Sequence, residues 1–541
     1  MEGEDTLPTI TSFGSYAGLK KQQFASNCIV VISASTSGHL ESKLISEKFI
    51  DRSRIVTLFY LGEETSTGRA ICHLRRHGFE LIKNEHAATC AWCRRSVPLI
   101  TLTDEQFVPE NPHVNEEMLN ADDAPSWLSS FFKMVVGKNL ISCNKSFSLV
   151  GATQRREIFI STLLYSTEGP SVSQRLETTL RRILPASLRR IVHLDDDESI
   201  RLASLIKTQA VAYLPSDRKL EMFPAAQLDG GNITEDFDGA TLVVASAVST
   251  GRTILAISQM LRPRLRDKAD HYLIGLGRTR NEKALRDLRS NLQYCDGPGG
   301  FDLSLLDTIY LPGDSPLHGN AWEQESDFLD KARSVIGPGN VEYKRIIDER
   351  LEQLREPAGL QSNLFWLTNN GIPLMLDPNF AFWKFDYESS AVTQADVYAT
   401  IAMILHSRRE GGGDKHGWLQ HEHHRVILSP FNFSRFNDGV IQSSLLRAAR
   451  IEELDYAVDE RISTSMTGIM GNIIDFPDRS SGEALAEFLL ALAMQRLRLA
   501  PVHLGQLLSR LAGKALSPPV KMLCAILESS AAGTASIEVS P

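Results

Sequence analysis

Short apolar runs closed by turn residues alternate with amphipathic stretches along the chain, and the two periods predict its elements. CIVVI (28–32), RIVTLFYLG (54–62), EIFISTLLY (157–165), the run at 190–194, QAVAYLP (209–215), LVV (242–244), HYLIGLGRT (271–279) and TIYLP (308–312) read as strands. Brief apolar runs bounded by turn formers suit a parallel sheet buried on both faces. Apolar positions three and four apart predict helices at 126–139, with Gly137 near the stop, at 171–184, with Ser171 or Ser173 as cap, and at 280–292. A further helix begins after the strand at 190–194, and Asp196, Asp197 and Glu198 form its first turn, where acidic groups meet the positive end of the helix dipole. Residues 322–337 and 343–356 are helical and charged, and from 364 onward the stretches 395–409, 440–456 and 483–500 keep helical spacing.

The stretch at 238–262, DGATLVVASAVSTGRTILAISQMLR, organises the rest. A buried strand ends in Ser249, Thr250 and Gly251 and enters a helix opening at Thr253, which aims backbone N–H groups at one spot where an anion can sit. Gly251 supplies the tight turn and the close approach. VVISASTSG (30–38) and VVASAVSTG (243–251) share Val-Val, Ser-Ala and the closing Gly, which reads as an internal repeat. Each copy continues into a helix and then another strand, a βαβ crossover and hence a parallel sheet. Phosphate-binding candidates are therefore Ala247, Val248, Ser249, Thr250, Gly251, Arg252 and Thr253 in one copy, and Ser35, Thr36, Ser37 and Gly38 in the other.

STGRT after a hydrophobic strand resembles the phosphoribosyl-diphosphate loop of type I phosphoribosyltransferases, over residues 145–320. In that family the loop holds the 5′-phosphate, and two adjacent acidic residues before it hold the ribose hydroxyls. Counting back from Gly251, those positions carry Ala245 and Ser246, and the first copy has Ile32 and Ser33. The resemblance implies an α/β fold, a parallel-sheet phosphoribosyltransferase-like core with an internal repeat, joined to a mostly α-helical C-terminal domain. It implies a phosphate cradle without the carboxylates that place a ribose and Mg2+, so magnesium is not expected. The expected function is a non-catalytic nucleotide- or phosphate-binding and protein-interaction component, in the manner of accessory proteins of prokaryotic anti-phage defence. Two alternatives stand beside it: an active phosphoribosyltransferase or nucleotide-processing enzyme in which Asp195, Asp196 and Asp197 replace the missing acids, and a ligand-free scaffold. Arg278, Arg280 and Arg286 are cations available to a phosphorylated ligand, or solvated charges on a helix face.

At 541 residues, with 43% hydrophobic and 23% charged positions, the chain is an ordinary globular protein of several domains. The expected divisions are a polar leader at 1–24, an α/β unit at 25–140, the transferase-like domain at 145–320, a helical connector at 321–360, a helical domain at 361–528 and a disordered tail at 529–541. A net charge of −9 gives no global attraction to nucleic acid or an anionic membrane. The start MEGEDTLPTI lacks the apolar core of a signal peptide, and no run approaches the ~20 residues of a membrane span. Seven cysteines without a regular framework suit a reducing compartment, so a cytoplasmic protein is expected.

Cys90 and Cys93 form half of a zinc pattern, with Cys72, His73 and His86 as completing ligands. A structural zinc, a redox pair and ordinary packed cysteines are the readings of that pair. His416, His421, His423, His424 and Glu422 form a histidine-rich loop without helical metal-site spacing. Arg435 and Arg447 near Asn432, Asn437 and Asp438 make either a binding surface or a buried network.

Overall fold

The structure is a computed structural model that describes residues 10–13, 19, 22–35, 38–61, 69–74, 113–147, 154–165, 170–215, 219–229, 239–265, 270–296, 301–311, 320–337, 339–356, 359–410 and 424–531. It divides into two compact units, Met1–Val97 and Pro98–Pro541.

In the first unit β1 (Val30–Ser35), α1 (His39–Lys48), β2 (Ile55–Tyr60) and β3 (Arg69–His73) form a three-stranded parallel sheet in the order β1-β2-β3. Val30, Ile32 and Ile55 bury one face against Leu44 of α1, with Leu19 and Ile50. Val31 and Ile71 stay exposed.

The second unit begins with β4 (His113–Glu117), α2 (Ser126–Val135), and the antiparallel hairpin β5 (Ile141–Phe147) and β6 (Gln154–Ile160). It continues through α3 (Pro170–Ile183), β7 (Leu188–His193), α4 (Asp197–Ala210), β8 (Glu221–Pro224), α5 (Ala226–Asp229), β9 (Ala240–Val248), α6 (Arg252–Leu265), β10 (Asp270–Thr279), α7 (Glu282–Asp296) and β11 (Phe301–Tyr310). β7 to β11 make one fully parallel sheet in the order β11-β10-β9-β7-β8. Alternation along β9 supplies both faces. Leu242 and Val244 join the core of Leu176 and Leu180 on α3 and Leu202 and Ile206 on α4. Val243 and Ala245 join Ile254, Ile257 and Leu261 on α6 and Leu288 and Leu292 on α7. The fold is thus α/β with a doubly covered parallel sheet, as its unbroken apolar strands require.

Three strand predictions differ from the structure. The strand predicted at 308–312 is β11, which begins earlier, at Phe301, and ends at Tyr310. QAVAYLP (209–215) is no strand: α4 runs to Ala210 and passes into a 3-10 turn at Val211–Tyr213, because Ile206 and Ala210 continue its buried face. The neighbouring strand is the later four-residue β8. EIFISTLLY breaks after Ile160 into a 3-10 turn at Thr162–Tyr165, where Glu198 accepts from Thr162 N at 2.9 Å and Ser161 Oγ at 2.7 Å.

The remaining elements are α8 (Ala321–Val335), α9 (Val341–Arg355), α10 (Gln394–Glu410), β12 (His424–Leu428), α11 (Phe431–Arg435), α12 (Gly439–Ala448), α13 (Glu460–Asp475), α14 (Leu485–Ala493), α15 (Pro501–Leu511) and α16 (Pro518–Ala531). β12 pairs in parallel with β4. Their apolar faces merge with the α3 and α4 side of the sheet into one core. Inside it lies an ionic network. Arg447 donates twice to Glu487, at 2.8 and 2.9 Å, and once to Glu325 at 2.7 Å. Arg350 and the Trp366 indole donate to Glu325 at 2.9 and 2.6 Å. Burial alone would raise the Glu325 carboxyl; Arg350 and Arg447 overcome it and hold it at about 2. Arg496 is buried beside them, pulled down to about 10 by desolvation, and donates to Gln324 and to the Ala449 carbonyl, each at 2.6 Å.

Two outcomes follow from these buried charges. Replacing Arg447 by Met leaves the buried Glu487 carboxylate without its cation and Glu325 with Arg350 as its one cation, and lowers the unfolding free energy by about 3–5 kcal/mol in urea denaturation. Burial also pushes the Asp396 carboxyl up to about 6, from an ordinary 3.8, against the hydrogen bonds from Thr393. Between those values the folded chain holds the proton more tightly than the unfolded one, so this group's contribution to stability falls as pH rises through the window. Asp396→Asn should remove that decline, read as the difference in urea midpoint between variant and parent at about pH 4 and about pH 7.

Candidate ligand-binding site

From β7 the chain steps outward to β8 on one side, and then to β9, β10 and β11 on the other. The order reverses between β7 and β9, and in open parallel sheets the crevice outside the carboxyl ends at such a point is where ligands bind. His193, the last residue of β7, is level with Val244, whereas β9 continues to Val248. The Ser249–Gly251 corner therefore stands above the end of β7, beside the start of α4.

Ala247 and Val248 are the closing residues of β9, and Val248 is buried. Ser249 and Thr250 are exposed, Gly251 is buried, and Arg252 and Thr253 are exposed in the first turn of α6. Gly251 has φ 72°, and a Cβ there would stand 2.3 Å from Leu288 Cδ1. Glycine is thus required both by its left-handed backbone and by the approach of α6 to α7.

The two positions that the resemblance assigns to carboxylates have specific surroundings. Ala245 is fully buried in the apolar core against α6 and α7, where a carboxylate would lose its hydration. Ser246 points to the other face and donates from Oγ to Asp196 at 3.1 Å, while its N–H donates to Ser199 Oγ at 2.8 Å. Asp196 caps α4, accepting from Ser199 N at 2.8 Å and Ser199 Oγ at 2.7 Å. An acid at 246 would therefore face the carboxylate of 196 at hydrogen-bond range. Asp195 and Asp197 flank this cap and are exposed.

Of the arginines singled out by sequence, Arg280 pairs with Glu410 at 2.9 Å and Arg286 with Glu282 at 3.1 Å. Arg278 lies at the carboxyl end of β10, just beyond the level of Val248, and donates to the Ile158 carbonyl at 3.2 Å. Burial lowers its pKa, with Glu157 opposing. Sequence reading missed Tyr165, whose hydroxyl donates to Asp307 at 2.9 Å while Arg175 pairs with the other oxygen of Asp307 at 2.7 Å. Gly275 makes room for that ring, since a Cβ would lie 2.9 Å from it. Only the spacing of Gly275 within an apolar strand signals a close approach.

In the first unit Gly38 also has a left-handed backbone, φ 70°, caps α1, and donates from its N–H to Ser35 Oγ at 3.1 Å. Thr36 and Ser37 lie outside the described residues, as do His86, Cys90, Cys93, His416, His421, Glu422 and His423. Cys72 and His73 are described and are consecutive in β3, so their side chains leave opposite faces of the sheet and do not converge on one ion. Among the described residues no group of three His, Cys, Asp or Glu is placed to hold a metal. Asn432 and Arg435 reach back to the β4 end: Asn432 accepts from Leu119 N at 2.8 Å and Arg435 donates to Asn120 at 2.8 Å. Asp438 caps α12 and Arg447 belongs to the ionic network, so this polar group serves packing.

No protein-family model matches the chain, and no curated protein matches it. Among solved structures it is similar to Leishmania donovani UMP synthase, with 13% sequence identity and a TM-score of 0.23, over 42% of this chain and 43% of that one. The chain thus spans less than half of that protein's length, and a likeness at this TM-score carries no functional argument.

Gly251→Ala should lower stability by roughly 1–3 kcal/mol, through left-handed strain and the clash with Leu288. Thr250→Ala, at an exposed position, should leave the thermal midpoint almost unchanged. Thermal unfolding followed by circular dichroism distinguishes the two.

Proposed function

We propose that residues 145–320 form a phosphoribosyltransferase-like module that binds a phosphorylated small molecule or nucleotide without transferring it, and that the protein acts as a binding and protein-interaction component. The observation that carries this reading is the coincidence of the Ser249–Gly251 corner with the reversal of strand order between β7 and β9. The corner leads into the fourteen-residue helix α6, whose first N–H groups have no partner within the helix itself and favour an anion. Exposed Ser249, Thr250, Arg252 and Thr253 add hydroxyls and a cation.

The absence of transfer rests on positions 245 and 246, one sealed in the apolar core and the other tied to the cap of α4. An internal repeat belongs to the same proposal, supported by Gly38 and Gly251 sharing a left-handed backbone between a parallel strand and a helix. So does a cytoplasmic role within a prokaryotic defence complex, which rests on the analogy of a degenerate transferase-like core with a helical extension. No helix among the described residues is long and apolar enough to cross a membrane.

Exposed Asp195 and Asp197 at the start of α4 favour a second reading, in which they supply the acids of an active enzyme. One pair of measurements separates the two. Phosphoribosyl diphosphate, inorganic phosphate and nucleoside monophosphates are screened by thermal shift, and product is sought with free bases. Binding without turnover is expected, with a ligand at a hundred times its Kd adding about 2.7 kcal/mol. Thr250→Glu should abolish the shift by setting a negative charge in the cradle. Turnover lost in an Asp195→Asn, Asp197→Asn double variant would overturn the non-catalytic reading, and no shift with any ligand would overturn binding.

A further inference from the structure

The three-stranded sheet of the first unit is clothed on one side only. Val30, Ile32 and Ile55 turn toward Leu44 of α1, so by alternation Val31 and Val56 turn to the opposite face. There the strands lie in register: Val31, Val56 and Arg69 form one row, and Ser33, Leu58 and Ile71, two residues on, form the next. Val31 is 58% exposed and Ile71 71%, with Ile29, just before β1, at 70%. Val56 and Leu58 between them are half-buried. The row at the carboxyl end is closed, since Tyr60 there is buried. Single exposed apolar side chains are ordinary, but these adjoin across a parallel sheet, which is normally covered on both faces.

Size and charge limit what fits. The outer strands of such a sheet stand about 10 Å apart, and six residues run about 20 Å. One α-helix is about 10 Å across and spans that length in roughly 13 residues. The other face already follows this rule, for the ten-residue α1 alone packs on it. Arg69, at the edge of the open face, is exposed and pairs with no carboxylate among the described residues. Arg54 is exposed in the turn entering β2, with Asp51 beside it. The amino end of this face therefore carries a cation in excess, which favours a carboxylate in whatever covers it.

We propose that the outer face of β1, β2 and β3 is a docking site for an amphipathic helix of a partner protein, apolar where it meets Val31, Leu58 and Ile71 and acidic where it meets Arg69. The bound helix completes the second layer that α1 supplies on the other side. Its apolar side supplies affinity and its carboxylate supplies orientation. This rests on the protein-interaction part of the proposed function and not on the phosphate corner, so the ligand screen and the docking assay fail separately.

The test uses the full chain and a fluorescent peptide of about 14 residues, leucines three and four apart on one side and glutamates on the other, cross-linked because short helices are marginal in water. Its controls carry lysine for glutamate, or the same residues with the leucines scattered. Anisotropy should show saturable binding of the acidic amphipathic peptide, at least tenfold tighter than either control. Val31→Asp and Ile71→Asp, at exposed positions, should each weaken it at least tenfold with the thermal midpoint unchanged, and Arg69→Glu should remove the preference for glutamate over lysine. If an aspartate lowers the midpoint, Ile71→Ser makes the same comparison with a smaller change. The proposal is overturned by absence of saturable binding, by equal affinity for the scattered-leucine peptide, or by unaltered binding to a folded Ile71 variant. It is equally overturned if sedimentation reveals a dimer that Ile71→Asp dissociates, since a second copy then covers the face. Failure of Ile71→Cys to react with a maleimide in the free chain, read at that residue by mass spectrometry, overturns it too, because the chain then covers the face itself.

Discussion

The guanidinium of Arg447 sits between two carboxylates that water does not reach, and the helical half of the larger unit is arranged around that fact. Glu325 comes from α8, Arg350 from α9, Arg447 from α12 and Glu487 from α14, and Trp366 closes the set with its indole and its backbone N–H. Each charge is tolerable only while the others are in place, because an isolated ion in so dry a setting costs several kcal/mol. The network therefore fixes the mutual register of four helices more tightly than their leucines do. Leucines accept many packings, whereas a bidentate arginine pair accepts few. The same core reaches the α3 and α4 face of the sheet, so the register set by these charges extends to the side on which Asp196 and Ser246 meet.

How much of this the sequence discloses depends on the range of the interaction. Strands β7, β9 and β10 and the helices between them are written locally, in apolar runs and in periods of three and four, and they are where the pattern places them, whereas β11 begins at Phe301, seven residues before the predicted run TIYLP, and ends at Tyr310. QAVAYLP misleads because Ala210 and Val211 suit a strand as well as a helix end, and only the buried face set by Leu202 and Ile206 decides. Glu325, Arg350 and Glu487 look like ordinary surface charges when read along the chain, and Arg447 reads as either a binding surface or a buried network. Their burial is a property of four helices meeting, which no single helix encodes. The same holds for Asp196, whose helix-capping role is legible beside Ser199 but whose bond to Ser246, fifty residues on, is not.

The crevice at the carboxyl end of the sheet shows a similar division. The glycine corner is a local motif, legible in a handful of consecutive residues. That position 245 points into an apolar core and position 246 toward an existing carboxylate depends on β9 extending to Val248, which sets the side each residue faces. The missing acids are therefore not vacancies waiting to be refilled. Restoring one would bury a charge in hydrocarbon, and restoring the other would set two carboxylates against each other.

The pairing of β4 with β12 bears on how this protein is made. Leu119 N–H, just past β4, and Asn432 Oδ1, in α11 just past β12, are hydrogen-bonded yet 313 residues apart in the chain. A ribosome adding about 5–20 residues per second needs roughly 15–60 seconds to traverse that gap. Throughout that interval β4, already synthesised, lacks β12, the strand it pairs with among the described residues. Nascent chains therefore carry β4 without β12 for that interval, and strand edges left unpaired during synthesis are aggregation-prone.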